Sequence, residues 1–423
     1  MASYPITVNV QFDFSSGAVF GYSFIIGDPQ HGILGTNVLA DSASDVVDVS
    51  NQVPSISIQG GYNLLQDQFQ ATIAKIRILD PNGDWNPQNS SSPYFGRILP
   101  NRKVRVSATY AGTTHYLFSG YSSAYDYTYP KNQEIGYVDV TCSDAFRLFQ
   151  LANVSTVASA GAGQDTGTRI NKILDQISFP NSMRSIDTGG TETICQADPG
   201  TARTALQACK QVEATEQGGF YLDGGGNAVF KSRAYIESKS GKNATFFSNA
   251  GDGINYKNVV FAFDDKLIIN DATFANVGGT DQHYTNAASY QKYFPHSFSS
   301  KVLVGATDAD AFNVAATYVQ TRAETTLRID ALVLDLTTPD YAAGITAALS
   351  LDYFDTVRIK NVGQTTSTGG DSIVDKTLQV MGNAYQITPN QFSVVFTTSE
   401  PIVDAFIIGS NLYGIIGTSV MTY

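Results

Sequence analysis

Between Asp67 and Phe149 the order of apolar and turn residues leaves few folds open. Apolar and polar residues alternate from Phe69 to Leu79, the mark of a half-buried strand. The run stops at Asp80-Pro81-Asn82-Gly83, whose residues favour a tight turn. After the Leu99-Pro100-Asn101 corner a second strand is expected over Lys103–Tyr110. A meander follows through Tyr116–Tyr129 and Ile135–Cys142. A short helix is expected from Ser143 as N-cap, with Ala145, Phe146 and Phe149 on its buried face. Strands joined in this order close into a small antiparallel barrel or sandwich, sealed at one end by a helix.

The chain has 423 residues, room for two or three such units. Residues 5–14 alternate like a first strand, with neither a basic region nor an apolar core ahead of them, so no signal peptide is expected. No apolar run is long enough for a membrane span, and no membrane insertion is expected. Phe24–Leu39 (FIIGDPQHGILGTNVL) aligns without gaps to Phe406–Met421 (FIIGSNLYGIIGTSVM), with nine identities in sixteen positions, and reads as an internal repeat. Pro54–Gln59 is a short strand. Residues 152–166 are small and polar and mark a boundary. Beyond them Ile170, Ile173, Leu174 and Ile177 fall on one helical face, stopped by Pro180. Pro199 is expected to open a second helix striped by Ala202, Ala205, Leu206, Cys209 and Val212, ended at Gly218-Gly219. Asp223-Gly224-Gly225-Gly226 then turns a hairpin, completing a small α+β unit. After a polar linker at 238–252, strands are expected at 258–263, 267–276, 328–336, 356–360, 376–384 and 392–397, with a helix entered at Thr307-Asp308-Ala309-Asp310.

Composition and motifs exclude more chemistry than they suggest. With 26 basic against 38 acidic residues the net charge is −12, the wrong sign for gripping phosphates. Cys142, Cys195 and Cys209 fit no disulfide framework and read as buried thiols. The histidines at 31, 115, 283 and 296 stand apart from them at no zinc spacing. Nucleophile elbows, Walker loops and paired-cysteine motifs are missing. Asp80–Asn86 sets oxygen side chains at alternate positions like a calcium loop, yet its glycine is misplaced and Ser91 stands where a ligating Glu belongs, so a side-chain-bonded turn is expected. Asp308 and Asp310 read as helix-dipole partners rather than a hydrolytic pair. Tyr121, Tyr125, Tyr127 and Tyr129 read as a packing or interface row rather than a sugar platform. No catalytic, cofactor-binding or metal-ligating residue is singled out, and an enzyme is not expected.

Phe69–Val106, Leu117–Tyr121 and Val138–Phe149 together resemble the tail hub proteins of siphophages. The resemblance is carried by Pro100, Arg102, Lys103, Val104, Arg105, Val106, Phe118, Gly120, Thr141, Asp144 and Ala145. It extends to Ile170–Ile177, Ala205–Val212, the Asp223 hairpin, and Thr307–Ala311 with Arg328–Leu336. It implies a mainly β fold: two tube-type antiparallel β-barrel domains plus a small α+β domain. The expected division is an arm at 1–43, a first barrel at 44–151, an inserted α+β domain at 152–250, a second barrel at 251–400 and a hairpin at 401–423 that repeats 24–39. It further implies a homotrimeric pseudo-sixfold ring at the virion tail tip. Its neighbours would be a distal tail or tail tube protein, a fibre or spike, and a tape measure protein. DNA would pass through the lumen without specific binding. A different distal tail protein or receptor-binding adaptor is the alternative.

Overall fold

The computed structural model describes residues 4–15, 45–131, 135–189, 193–239, 243–338, 341–365 and 371–400, with isolated positions at 20, 24, 26 and 32–34. Both copies of the sixteen-residue repeat, Phe24–Leu39 and Phe406–Met421, lie largely or wholly outside the described residues.

A 13-stranded sheet carries the fold. Its N-terminal strands are β1 (Thr7–Asp13), β2 (Val46–Asp48), β3 (Ser55–Asn63), β4 (Gln68–Leu79), β5 (Lys103–Tyr110), β6 (Thr113–Thr128) and β7 (Tyr137–Ser143). Its C-terminal strands are β8 (Thr245–Ser248), β9 (Asn258–Ala262), β10 (Arg328–Asp335), β11 (Thr356–Thr365), β12 (Asp371–Thr388) and β13 (Gln391–Ser399). The order along the sheet is β9-β10-β13-β12-β3-β4-β7-β6-β5-β1-β2, with β11 also on β12 and β8 on β11. The period-two pattern explains the burial: Ile56, Ile58, Ala74, Ile76, Ile78, Val138 and Val140 point inward and alternate with polar residues. The same core takes in Leu332, Leu334, Phe392, Val394 and Phe396 from the C-terminal strands, so one apolar body spans both halves of the chain.

The halves meet where β12 pairs with β3, Gly382 opposite Gly61 and Gln386 opposite Ser57. Gly61 lies in left-handed backbone at φ +132°, and a Cβ there would sit 2.3 Å from the Gly382 Cα. Glycine at 61 is what allows the approach.

Strand order and connection repeat across this junction. β3–β4 and β9–β10 are antiparallel neighbours, as are β6–β7 and β12–β13. β5 leads into β6 as β11 leads into β12. Moving four strands along the sheet carries β9-β10-β13-β12 onto β3-β4-β7-β6 with every direction kept. Register shifts sit at matching places: Gln59/Gly61 with Val260/Phe261, and Ser122/Ala124 with Val380/Gly382.

Two α+β units hang from this frame. After β7 come α1 (Phe146–Leu151), α2 (Thr166–Gln176), α3 (Ala205–Glu216) and α4 (Arg233–Lys239). Here Arg184–Ile186 runs parallel to Ala228–Lys231, which pairs antiparallel with Gly219–Leu222. Phe146, Phe149, Ile170, Ile173, Leu174, Cys209, Val212 and Phe220 build a second core. The N-cap is Ala145 and not Ser143, because the strand β7 runs through Ser143 and the Asp144 carboxylate accepts from the Phe146 N–H. α3 starts at Ala205 and not at Pro199: Thr204 and Gln207 form a reciprocal capping box, a stronger start signal than proline. The polar 238–252 stretch holds the end of α4 and the strand β8.

Between β9 and β10 the chain leaves the large sheet. Asp271–Asn276 there pairs with Gln282–Thr285 and Ser297–Leu303. α5 (Ala287–Tyr293) and α6 (Asp308–Gln320) complete this unit, and Phe274, Leu303, Val314 and Tyr318 form its core. α7 (Ala342–Ser350) connects β10 to β11. The mainly β class with an α+β insertion is the class observed.

Candidate functional site

The sheet face turned away from the core is built row by row from the register. One row reads Asp335, Ser393, Gln386, Ser57, Lys75, Thr141 across β10-β13-β12-β3-β4-β7. The next reads Val333, Val395, Ala384, Gln59, Ile73. The first row is polar and the second largely aliphatic, and the Gln386 amide donates to Ser57 Oγ at 2.7 Å across the junction of the halves. Arg77 and Asp139 form a two-pronged pair at 2.7 Å, and Lys257 meets Asp335 at 3.0 Å. Arg77 and Lys257 on this face are thereby matched by carboxylates, which leaves Lys75 as its isolated cation among the described rows.

The two ends of the repeated frame carry a different chemistry. β9 has β10 on one side and no described strand on the other. Val260, Phe261 and Phe263 on and beside it are 44%, 37% and 68% exposed. At the far end β6 pairs with β5 up to Tyr121, and Ser122 still bonds Asn101 and Arg102. From Ala124 to Thr128 it keeps β7 alone among the described strands. Tyr127 and Tyr129 beside this free stretch are exposed and stacked, centroids 6.4 Å apart. Free strand edges with exposed apolar residues are pairing surfaces.

The tyrosine series divides by depth. Tyr121 is buried, and Tyr125 bonds Ser122 Oγ at 3.0 Å and the Leu99 carbonyl at 3.3 Å. The Tyr129 hydroxyl donates to Asp80 Oδ2 at 2.7 Å; burial, then this carboxylate, pushes its pKa up. The same Asp80 oxygen accepts the Trp85 N–H at 3.3 Å. Asn86 Oδ1 accepts from Gln88 N, Asn89 Oδ1 from Ser91 N, and Asn89 Nδ2 donates to the Gly83 carbonyl. This is the side-chain-bonded turn expected of Asp80–Asn86, and it holds the fully buried Trp85 against Phe12, Phe14 and Tyr94. Among the described residues no group of three His, Cys, Asp or Glu is placed to hold a metal ion.

Asp310 completes a capping box with Thr307, and Asp308 accepts from the Thr280 N–H. Both therefore serve the start of α6 and its neighbouring turn. The three thiols are buried, and desolvation raises their pKa, to about 12 for Cys195. Asp144, a residue of the family resemblance, is buried and accepts from Thr72 N at 2.7 Å and Phe146 N at 3.0 Å. Burial raises its pKa to about 7 against those two bonds.

A crevice of about 670 Å³ separates the sheet from the two α+β units, lined by Arg203, Lys210, Phe274, Phe298, Tyr318 and Arg322. Arg203 pairs with Asp198 at 2.5 Å and Lys210 with Glu213 at 2.7 Å within the first α+β unit, and Arg322 pairs with Asp67 at 2.6 Å across the crevice. The Tyr62 hydroxyl joins Asp67 at 2.5 Å, and Arg322 lies 3.7 Å from the Tyr318 ring centre. The Arg322–Asp67 pair ties the end of α6 to the β3–β4 turn.

These edges escaped sequence reasoning because β9 and β6 look locally like any strand; only the sheet order shows which sides lack a neighbour among the described strands. The exposed Val260, Phe261 and Phe263 were the available signal.

No family model matches the chain, and no curated protein matches it. Solved structures do. The tail protein from Neisseria meningitidis MC58 superposes with a TM-score of 0.56 at 10% identity, over 94% of this chain and 97% of that one. The 43 kDa tail protein of prophage MuSo2 from Shewanella oneidensis superposes at 0.52 and 12% identity, over 84% of this chain and 94% of that one. The chain has the fold of these phage tail proteins, the fold that the hub resemblance implies.

Proposed function

We propose that the protein is a structural tail hub of a bacteriophage: three chains form a ring of six similar sheet units at the tail tip. The ring joins the tail tube or distal tail ring to a central fibre or spike and surrounds the path of the DNA. The tandem sheet carries this reading. Two units of the same strand order, fused at β3–β12, supply one third of a sixfold circuit, and three copies complete it. A six-unit face fits a sixfold neighbour, while the two α+β units, placed differently in each half, repeat three times and suit a threefold one.

The outward rows suit a bore. Polar and aliphatic side chains with mostly cancelled charge give sliding phosphates little to bind, and the net charge of −12 adds weak repulsion. The remaining partners of this reading, a tape measure protein and the fibre or spike, belong to the same tail tip. No step of this role calls for catalysis. Mass photometry of the purified chain, with averaged images of the particles, tests the proposal. A trimer with a central opening is the expected result, and a stable monomer at every concentration removes the hub. A hexamer of this chain, or glycan binding lost in Tyr127→Ala, would favour the adaptor reading instead.

A further inference from the structure

The crevice between the sheet and the two α+β units reaches the end of the described chain. Ser399 and Glu400, which close β13, belong to its lining. Both are held firmly there. Ser399 lies opposite Gln379, whose amide donates to the Ile236 carbonyl at 3.1 Å, and Thr398 Oγ1 donates to the Ile329 carbonyl at 2.5 Å. The Glu400 carboxylate accepts from Lys376, which also donates to the Leu327 carbonyl. The next residue in sequence is Pro401, with no N–H to offer a continued ladder.

The crevice suits an apolar, uncharged occupant. Leu64, Leu267, Phe298 and Val302 stand partly open on its walls, Val302 at 42% exposure. Charged groups on the walls already have partners. Besides the pairs of Arg203, Lys210 and Arg322, Arg328 meets Asp264 at 3.0 Å and Lys292 meets the lining Glu324 at 2.6 Å. A charged ligand would gain little here, whereas an apolar one buries surface on both sides. The edge of α3 lines the crevice from Gln207 to Gln217, about 15 Å of helix, which matches about five extended residues.

We infer that the segment after Glu400 docks in this crevice of its own chain, setting Phe406, Ile407 and Ile408 against Phe298 and Val302. Its chemistry is the complement required: from 401 to 423 Asp404 is the single charged side chain. Its reach is sufficient, since the stretch from Glu400 to Phe406 spans up to about 20 Å when extended. Both partners belong to one chain, so the contact goes beyond the hub reading and does not depend on the number of copies.

Cross-linking tests the contact, and the three native thiols are buried and leave introduced ones to be read alone. Full-length protein carrying Val302→Cys and Ile408→Cys is treated with a short bis-maleimide. The control carries Ile73→Cys, an exposed position in the outward rows of the sheet, with Ile408→Cys. The expected result is a link within one chain at position 302, roughly tenfold or more above the link at position 73 and unchanged by dilution. Equal yields at the two positions, or no link at 302, overturn the contact. A link between two chains that fades on dilution assigns the crevice to a second copy and overturns it as well. Alkylation gives an independent readout. The thiol of the Val302→Cys variant should react slowly, and adding Ile407→Asp with Ile408→Asp should speed it roughly tenfold with the circular dichroism spectrum unchanged. Equal rates overturn the contact. Native mass on the same samples reads the hub separately: a trimer without the link removes this contact alone.

Discussion

At the scale of single residues, two buried side chains decide how the β4–β5 connection and the β7–α1 turn are held. Trp85 is fully buried among Phe12, Phe14 and Tyr94, and its backbone N–H is held by Asp80. Trp85→Ala is expected to lower unfolding free energy by about 3–5 kcal/mol, measured by denaturant titration. A loss under 1 kcal/mol would mean that the loop does not depend on this anchor. Asp144 gives a pH signature. Its folded pKa, about 7, lies above the ordinary carboxyl value, so the folded state holds the proton more tightly than the unfolded chain. This contribution is full at pH below the unfolded value and is lost as pH rises through about 7. Thermal midpoints should therefore fall between pH 5 and pH 8, and Asp144→Asn should flatten that fall, because an amide does not titrate. An unchanged slope in the variant would assign the pH dependence to other groups.

At the scale of elements, β3 and β12 come together at Gly61 and Gly382, where a Cβ at position 61 would sit 2.3 Å from the Gly382 Cα. Gly61→Val is expected to separate β3 from β12 and to turn a single unfolding transition into two, seen by calorimetry. One cooperative transition at the wild-type midpoint would show that the halves do not rely on this contact. What could be read from the sequence follows from how local each signal is. Lys103–Tyr110 was legible to the residue, since alternation and the Asn101 corner are local. Helix starts were less so: proline at 199 drew the boundary, although Thr204 and Gln207 spell the capping box that sets it. α5 and α7 passed unread, with no capping box to announce either. β3 meets β12 more than three hundred residues away, and no local pattern encodes a partner at that distance. For the same reason the resemblance motifs pointed to a hub while the edges of β9 and of Ala124–Thr128 in β6, each with one neighbour among the described strands, stayed hidden.

At the scale of the whole molecule, the proposed ring has a bore lined by polar and aliphatic side chains with few unpaired charges. Its assembly is expected to depend little on salt, because the exposed edge-strand residues Val260, Phe261, Tyr127 and Tyr129 are apolar or aromatic. Trimer fraction measured by sedimentation from 50 mM to about 500 mM salt should stay level or rise, as burial of apolar surface is not screened. A steep fall with salt would place the contact on charged faces instead.

The β3–β12 junction has a consequence for how such a ring comes apart. Of its six seams, three lie inside chains and cannot be diluted, because their partners are tethered and meet at high effective concentration. The other three form only as fast as chains collide, and obey mass action. Thinning the solution would thus release intact crescents of two units, never single ones. Mixing two tagged populations should exchange whole chains through three doors, while the remaining three seams stay shut until the protein unfolds.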